Sequence, residues 1–432
     1  MLQILRNAWK IVDLRKKLLY TLLIVIIFRV GSAIPVPFID MSALGNLAES
    51  LSSNGSLFGY MNMLTGDSFS KATLFALSIQ PYINASIIVQ LLTVVITPWQ
   101  RWAKDEGEEG RRKINRVNRI TTFILALAMA IGYYFTLRNS SIVDVTAGFP
   151  GFFAAATIIL SFVAGSSVIV WLGELINKKG VGNGISMILF AGIVSRLPAA
   201  AGMLWAYFTN DEKWVYKFLV PVIIILAVVI VGFIVLMTDA ERRIPVQYAK
   251  RVVGRKQYGG QSSYIPIKVN MSGVMPIIFA TSIVSLPGII VSFFNISEGF
   301  WAKFVTIFNY NSAPYAIAYF LLIIAFNYFY VSIQYNPVEM ANNLQKNNGL
   351  IPGYRAGKPT SDYIIKVLGK IILIGALFLG VVAVLPIGLQ AVTGMTIALG
   401  GTTVLIVVGV ALETVKTLES QMMMRHYKGF LE

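Results

Sequence analysis

The chain has 432 residues, 56% of them hydrophobic and 13% charged, with a mean hydropathy of +0.70 and a formal charge of +16. Soluble globular chains carry about 25% charged residues, so the composition excludes a soluble domain and points to a polytopic membrane protein. No cysteine is present and the one histidine is His426, which excludes a disulfide framework, a cysteine nucleophile and a histidine-based metal site or triad in the membrane.

The N-terminal MLQILRNAWKIVDLRKKLLY sets basic residues before an apolar run, as a signal peptide does. No small-residue cleavage site follows and Arg29 interrupts the run. The reading is a cytosolic amphipathic helix over 1–17 and a retained first span at 18–36. Arg29 reads as a snorkelling or paired residue rather than a substrate site.

Residues 56–99 come next and organise the chain. SLFGYMNMLTGDSFSKATLF is too polar and too broken by glycine to cross a bilayer, while ALSIQPYINASIIVQLLTVVITPW is long enough to cross once. The second piece holds Pro81 and carries Gln80, Asn84, Ser86 and Gln90. An unpaired amide in hydrocarbon costs roughly a few kcal/mol, so this second span, 72–98, is predicted to face protein or water. A short re-entrant segment lies in front of it, tolerable only where protein buries it or a cavity adjoins it. The pattern is that of a pore-lining helix preceded by something that can stop the pore.

Charge-poor runs place further spans at 120–137, 150–173, 184–204, 218–238, 271–293, 313–334, 369–387 and 395–413. The last two share the charge-free run Ile371–Leu412, with the break expected near Pro386–Thr396, where Pro, Gly and Gln cluster. The predicted fold is thus all-α with ten transmembrane helices. They divide into an N-terminal half (18–210) and a C-terminal half (211–413), followed by a cytosolic tail (414–432). Five spans per half make the second half enter from the opposite side, the topology of an inverted repeat. With both termini in the cytosol, 29 Lys and Arg fall on the cytosolic side and 6 on the other, which fixes that orientation by the positive-inside rule.

Two cytosolic loops exceed what a helix connection needs. Residues 239–268 alternate β-branched and aromatic residues around RRIPVQYAKR and contain a Tyr-Gly-Gly turn, the signature of a β-hairpin. Residues 335–370 predict a short helix from Pro337, then a Gly/Pro-rich tip carrying Arg355.

The missing chemistry is informative. Gly180–Gly184 lacks the Lys-Ser/Thr of a nucleotide loop. No HExxH occurs, and acidic residues are nearly absent from span interiors, where an ion-coupled carrier needs them. No enzyme and no cofactor is expected, and an intramembrane protease is remote. The residues leave two readings open, a protein-conducting channel and a small-solute secondary transporter with inverted repeats.

The segments PYINASIIVQLLTVV, DEGEEGRRKINRVNR, KKGVGNGIS, RRIPVQYAKR, VNMSGVMPIIFA, NPVEMANNLQK, IPGYRAGKPT and GGTTVLIVV, in this order and spacing, resemble the SecY family of bacterial translocase channel subunits. The resemblance covers nearly the whole chain; Ala356 departs from it where Pro is expected. It implies two five-span halves hinged between the fifth and sixth spans around an hourglass pore, and it decides for the channel reading. It also implies a plug at about 57–70 with Leu57, Phe58, Tyr60, Met61, Leu64 and Phe69. The implied pore ring is Ile83, Ile87, Ile185, Leu189, Ile278 and Ile406, with Leu189 replacing an expected isoleucine. A ring of branched aliphatic side chains dewets and blocks ions yet deforms around a passing chain. The implied lateral gate lies between the second and third spans and the seventh and eighth, with Asn84 and Gln90 in its polar seam. SecA or ribosome docking is implied at Arg355, supported by Arg242, Arg243, Lys250, Arg251 and Arg255. The further expected partners are the SecE and SecG subunits, preprotein signal sequences and the lipid bilayer, with the bacterial cytoplasmic membrane as location.

Overall fold

The computed structural model describes residues 2–40, 43–44, 65–104, 106–143, 145, 148–209, 214–248, 251–253, 256–258, 262–294, 312–393 and 401–428. In chain order the helices are α1 Leu2–Lys10, α2 Val12–Gly31, α3 Gln80–Val95, α4 Thr97–Lys104, α5 Gly107–Asn139, α6 Gly148–Lys179, α7 Gly184–Val194, α8 Leu197–Thr209 and α9 Val215–Asp239. Strands β1 Glu241–Tyr248, β2 Arg251–Val253, β3 Lys256–Tyr258 and β4 Ser262–Lys268 follow. The rest comprises α10 Met275–Phe294, α11 Ala313–Gln334, α12 Pro337–Lys346, β5 Gly349–Leu350, α13 Lys358–Thr393 and α14 Gly401–Lys428.

Among the described residues seven helical stretches are long and apolar enough to cross a membrane, and eight if the bent pair α3–α4 is one span. Every predicted span falls on a helix, with several boundaries corrected. The N-terminal amphipathic helix stops at Lys10, and α2 begins at Val12 and ends at Gly31 rather than at 36. The fifth span is two helices, α7 and α8, separated at Ser195–Arg196. Pro386 does not end its helix; α13 continues through it to Thr393. Proline withholds the N–H that Val382 O would accept, and Gly401 covers that carbonyl so closely that a Cβ there would lie 1.9 Å from it.

The largest correction concerns the second span. Its helix starts at Gln80, with Pro81 in the first turn where a missing N–H costs nothing. Residues 65–79 are mostly turns, largely buried. Their backbone is satisfied within the protein: Leu74 N–H donates to Ile34 O at 2.9 Å, Val36 N–H to Ala72 O at 3.2 Å and Ser78 N–H to Phe75 O at 2.9 Å. Small residues admit the stretch. A Cβ on Gly165 of α6 would sit 1.9 Å from Leu74 O, and one on Gly31 of α2 would sit 2.1 Å from the Phe75 ring. At its far end α3 breaks at Ile96 and turns by 108° into α4, where Trp99 and Trp102 stack with centroids 6.3 Å apart.

Three buried clusters organise the helices. One, from Val36 to Val163, lies within the first half, and another, from Ile234 to Leu412, within the second. The third joins them, bringing Ile24, Ile79, Ile83, Ile87, Ile169 and Ile188 against Phe279, Ile406 and Val410. In lipid such contacts hold by close packing rather than by escape from water. The outward face of α9, with Ile225, Val228, Val229 and Leu236 exposed, is apolar as a lipid-facing surface must be.

The first long loop forms the expected hairpin: β1 pairs antiparallel with β4 from Glu241↔Lys268 to Gln247↔Ser262. An inner hairpin, β2–β3, is set between the two strands; of the Tyr-Gly-Gly turn, Tyr258 ends β3 and the two glycines lie outside the described residues. The short β5 pairs with β1 at Gln247↔Leu350 and Tyr248↔Gly349, so the two long loops share one sheet ordered β4-β1-β5. Ile244, Val246 and Ile267 from the sheet pack on Leu344, Ile351, Ile364 and Leu368. The helix expected from Pro337 is α12, capped by Asn336 Oδ1, which accepts from Glu339 N–H at 3.3 Å.

Candidate functional site

The six residues of the expected ring come from α3, α7, α10 and α14, and all belong to the cluster that joins the halves. Ile83, Ile87, Leu189 and Ile406 are buried in it, and Ile185 and Ile278 pack against it half-buried. Spacing explains the placement: Ile83 and Ile87, like Ile185 and Leu189, are four apart and share a helix face. The α7 pair is presented inward because α7 starts in a capped turn. Asn177 Oδ1 accepts from Gly184 N–H at 2.7 Å and Asn183 Oδ1 from Ile185 N–H at 3.1 Å. Gly184 lets this turn lie on α6, where a Cβ would meet Gly173 O at 2.0 Å. The Gly180–Gly184 run therefore serves as a packed, capped turn. A half-open cavity of about 880 Å³ adjoins the cluster, floored by Leu189, Ile278 and Ile406 and walled by polar residues including Asn183, Lys268, Glu413 and Lys416.

Asn84 does not stand alone on α3. Its Oδ1 accepts from Ser282 Oγ of α10 at 3.1 Å, a polar contact between the two halves. Gln90 is half-buried; its backbone carbonyl accepts from Thr93 Oγ1 at 2.6 Å. A second polar contact, Asn118 Nδ2 to Ser86 Oγ at 3.0 Å, ties α5 to the same helix. Reading single amides flagged Asn84 but missed Ser282 and Asn118, because a partner is a property of register between helices.

Of the expected plug residues, Leu57, Phe58, Tyr60, Met61 and Leu64 lie outside the described residues. Phe69 is described and belongs to the wall. It is buried, its ring stacks on Tyr133 at 4.3 Å, and Tyr133 Oη donates to its carbonyl. Asp67 beside it is bonded to Arg196 Nη2 at 3.1 Å, which fixes the stretch to the α7–α8 break. Arg29 is half-buried, and its Nη1, which finds no hydrogen-bond partner among the described residues, would lie 3.1 Å from a Cβ on Gly66.

On the sheet, Arg242 is exposed, while Arg243 is already engaged. Its Nε lies 2.7 Å from Glu241 Oε1 and its guanidinium sits over Tyr264, 4.8 Å from the ring centroid. The hydrogen bond to Glu241 raises its pKa further. Arg243 is thus held in place on the sheet with its side chain still exposed. Lys250 and Arg255 lie outside the described residues, and Arg251 is placed only as the start of β2. Arg355 is exposed on a stiffened tip: Gly353 and Gly357 take positive φ of 87° and 94°, Thr360 Oγ1 donates to Arg355 O at 2.7 Å, and Tyr354 packs on Tyr363 at 4.2 Å.

Fold and site together define a multi-pass α-helical membrane protein whose two halves meet on an apolar cluster beside a cavity of mixed polar and apolar lining. A family model for SecY matches residues 73–415. Protein translocase subunit SecY of Streptomyces coelicolor is 43% identical over 444 residues, covering all of both chains. That of Corynebacterium glutamicum is 38% identical over 443, covering 99% of each. The chain belongs to the SecY family, a family of protein-translocase channel subunits and not of enzymes. A solved protein-conducting channel superposes with a TM-score of 0.63 at 19% identity, over 94% of this chain and 92% of that one. Sec61 of the canine ribosome–channel complex gives 0.60 at 18%, over 94% and 92%. At such identities the likeness is one of fold.

Proposed function

We propose that this chain is the channel through which unfolded preproteins cross the bacterial cytoplasmic membrane, and from which transmembrane segments leave sideways into lipid. The observation that carries the reading is the gathering of six branched aliphatic residues from four helices in one cluster, three of which, Leu189, Ile278 and Ile406, line the adjoining cavity. In this reading they form the pore ring, which keeps ions out by dewetting while yielding to a chain. Residues 57–70 are the plug that stops the pore. The ten spans form two inverted five-helix halves with both termini cytosolic, supported by the distribution of Lys and Arg.

The lateral gate lies between α3 and α5 on one side and α10 and α11 on the other. Asn84–Ser282 is the supporting contact, since an interhelical hydrogen bond of about 0.6–2 kcal/mol holds helices together while leaving them separable. A signal sequence parts them by offering a competing apolar face. The motor SecA and the ribosome dock on the sheet and the Arg355 tip, where a fixed guanidinium presents a rigid donor fork; the canine relative was solved in a ribosome complex. SecE clamps the two halves and SecG sits peripherally.

The test is single-channel conductance and ATP-driven translocation from one sample reconstituted with SecE, with and without residues 57–70. Raised resting ion leak with translocation retained is the expected result. No translocation by the intact chain, with uptake of a small solute along an ion gradient instead, overturns the proposal.

A further inference from the structure

Asn327 of α11 is 2% exposed and surrounded by apolar side chains, yet both ends of its amide are used. Its Oδ1 accepts from Ser272 Oγ, and its Nδ2 donates to Ile372 O of α13 at 2.9 Å. An amide this deep is costly without partners. Fully satisfied, it fixes the relative placement of the segments it joins. Two of these are membrane helices, α11 and α13. The third is the link 269–274, which runs from the end of β4 to the start of α10.

The same link is held at its other end. Val269 N–H donates to Ala240 O at 2.9 Å, next to the end of α9. Val269 O faces Gly375 of α13, where a Cβ would intrude to 2.5 Å. The link is therefore pinned at both ends against α9, α11 and α13. Beyond it α10 carries Ile278, six residues after Ser272, and Ser282, ten residues after it and bonded to Asn84. On the other side, β4 continues through β1 to β5 and the Arg355 tip.

We propose that Asn327 and Ser272 are positioning residues that couple displacement of the cytosolic sheet to α10 and α11. The inference rests on reading those two helices as one wall of the lateral gate and the sheet as the docking platform. A push on the sheet reaches the membrane through six residues. With the Ser272–Asn327–Ile372 contacts intact the link turns α10 and α11 together; without them it absorbs the push by local bending. Neutral partners suit this role, since they re-form without exposing a charge to hydrocarbon.

The test compares the parent chain with Asn327→Leu and Ser272→Ala, each reconstituted with the small membrane subunits. Three quantities are read: affinity of the motor ATPase for the vesicles, motor-driven translocation of a preprotein, and opening of the gate. Because the chain has no cysteine, gate opening is read in an Asn84→Cys, Ser282→Cys background as motor-induced loss of disulfide formation. The expected result is unchanged motor affinity, no motor-induced loss of the disulfide, and translocation lower by roughly tenfold in Asn327→Leu and about threefold in Ser272→Ala, which keeps the bond to Ile372. Should Asn327→Leu fail to accumulate, Ser272→Ala carries the test on the same criteria. Normal gate opening with normal translocation overturns the proposal. So does a parallel loss of motor affinity, which would make the contacts a support of the docking surface only. Failure of the parent chain to translocate overturns the channel reading instead.

Discussion

Two regions of this molecule leave the helix and solve the same problem differently. Residues 65–79 do so packed against α2 and α6, and the sheet of β4, β1 and β5 does so in the two long loops. In the first, each N–H must find an acceptor inside the protein, so the chain folds into turns against residues 34–36 and glycines open the space for it. In the second a ladder supplies the bonds, and one face of β1 is buried through Ile244 and Val246. The lesson is that irregular backbone at membrane depth depends on steric room, whereas the sheet depends on apolar contact.

Substitutions that remove one requirement at a time sharpen this contrast. The largest effect is expected for Gly165→Leu, which drives a side chain into the Leu74 carbonyl 1.9 Å from the Cβ position. Overpacking of this kind costs about 3 kcal/mol, read as a fall in the thermal midpoint of the detergent-solubilised protein. Ile244→Ala, at a residue 1% exposed, should cost about 2–3 kcal/mol. The loss should appear as faster hydrogen exchange in 241–248 and 262–268, with α3 and α5 still protected. If α3 loosens equally, the two regions are not independent. Asp67→Asn weakens the half-buried pair with Arg196 and should cost about 1–2 kcal/mol. Combined with Arg196→Gln, the loss should be less than additive in the same thermal measurement. The smallest effect is expected for Arg243→Ala, whose pair with Glu241 is solvated. The midpoint should not move, and only the Tyr264 environment should change, read by its NMR ring resonances.

Much of the fold was legible in the sequence because a bilayer imposes strict terms: a helix of fixed length, few charges, cations on one side. The hairpin of RRIPVQYAKR and the helix from Pro337 were legible for local reasons, namely alternation and an Asn-Pro start. What escaped was register between distant segments. The sequence places Pro81 inside the span 72–98, whereas in the structure it stands in the first turn of the helix, because turns replace the helix upstream. β5 is two residues long and gains identity only from β1. The six residues expected as a ring are ordinary aliphatics, selected by family resemblance rather than by their own chemistry, and what the structure shows of them is membership of one apolar cluster. Ser282 and Asn327 were within reach of the criterion that singled out Asn84, a polar side chain on an apolar helix, yet their partners could not have been named.

The pairing of Gln247 with Leu350 also sets an order of events during biosynthesis. About a hundred residues separate the two strands, so at about 5–20 residues per second the first waits roughly 5–20 seconds for the second. Through that interval β1 has only β4 beside it, and α10 and α11 are being made. A nascent chain therefore has no finished sheet until about two-thirds of its C-terminal half has been made, and a product truncated before β5 lacks the edge strand altogether.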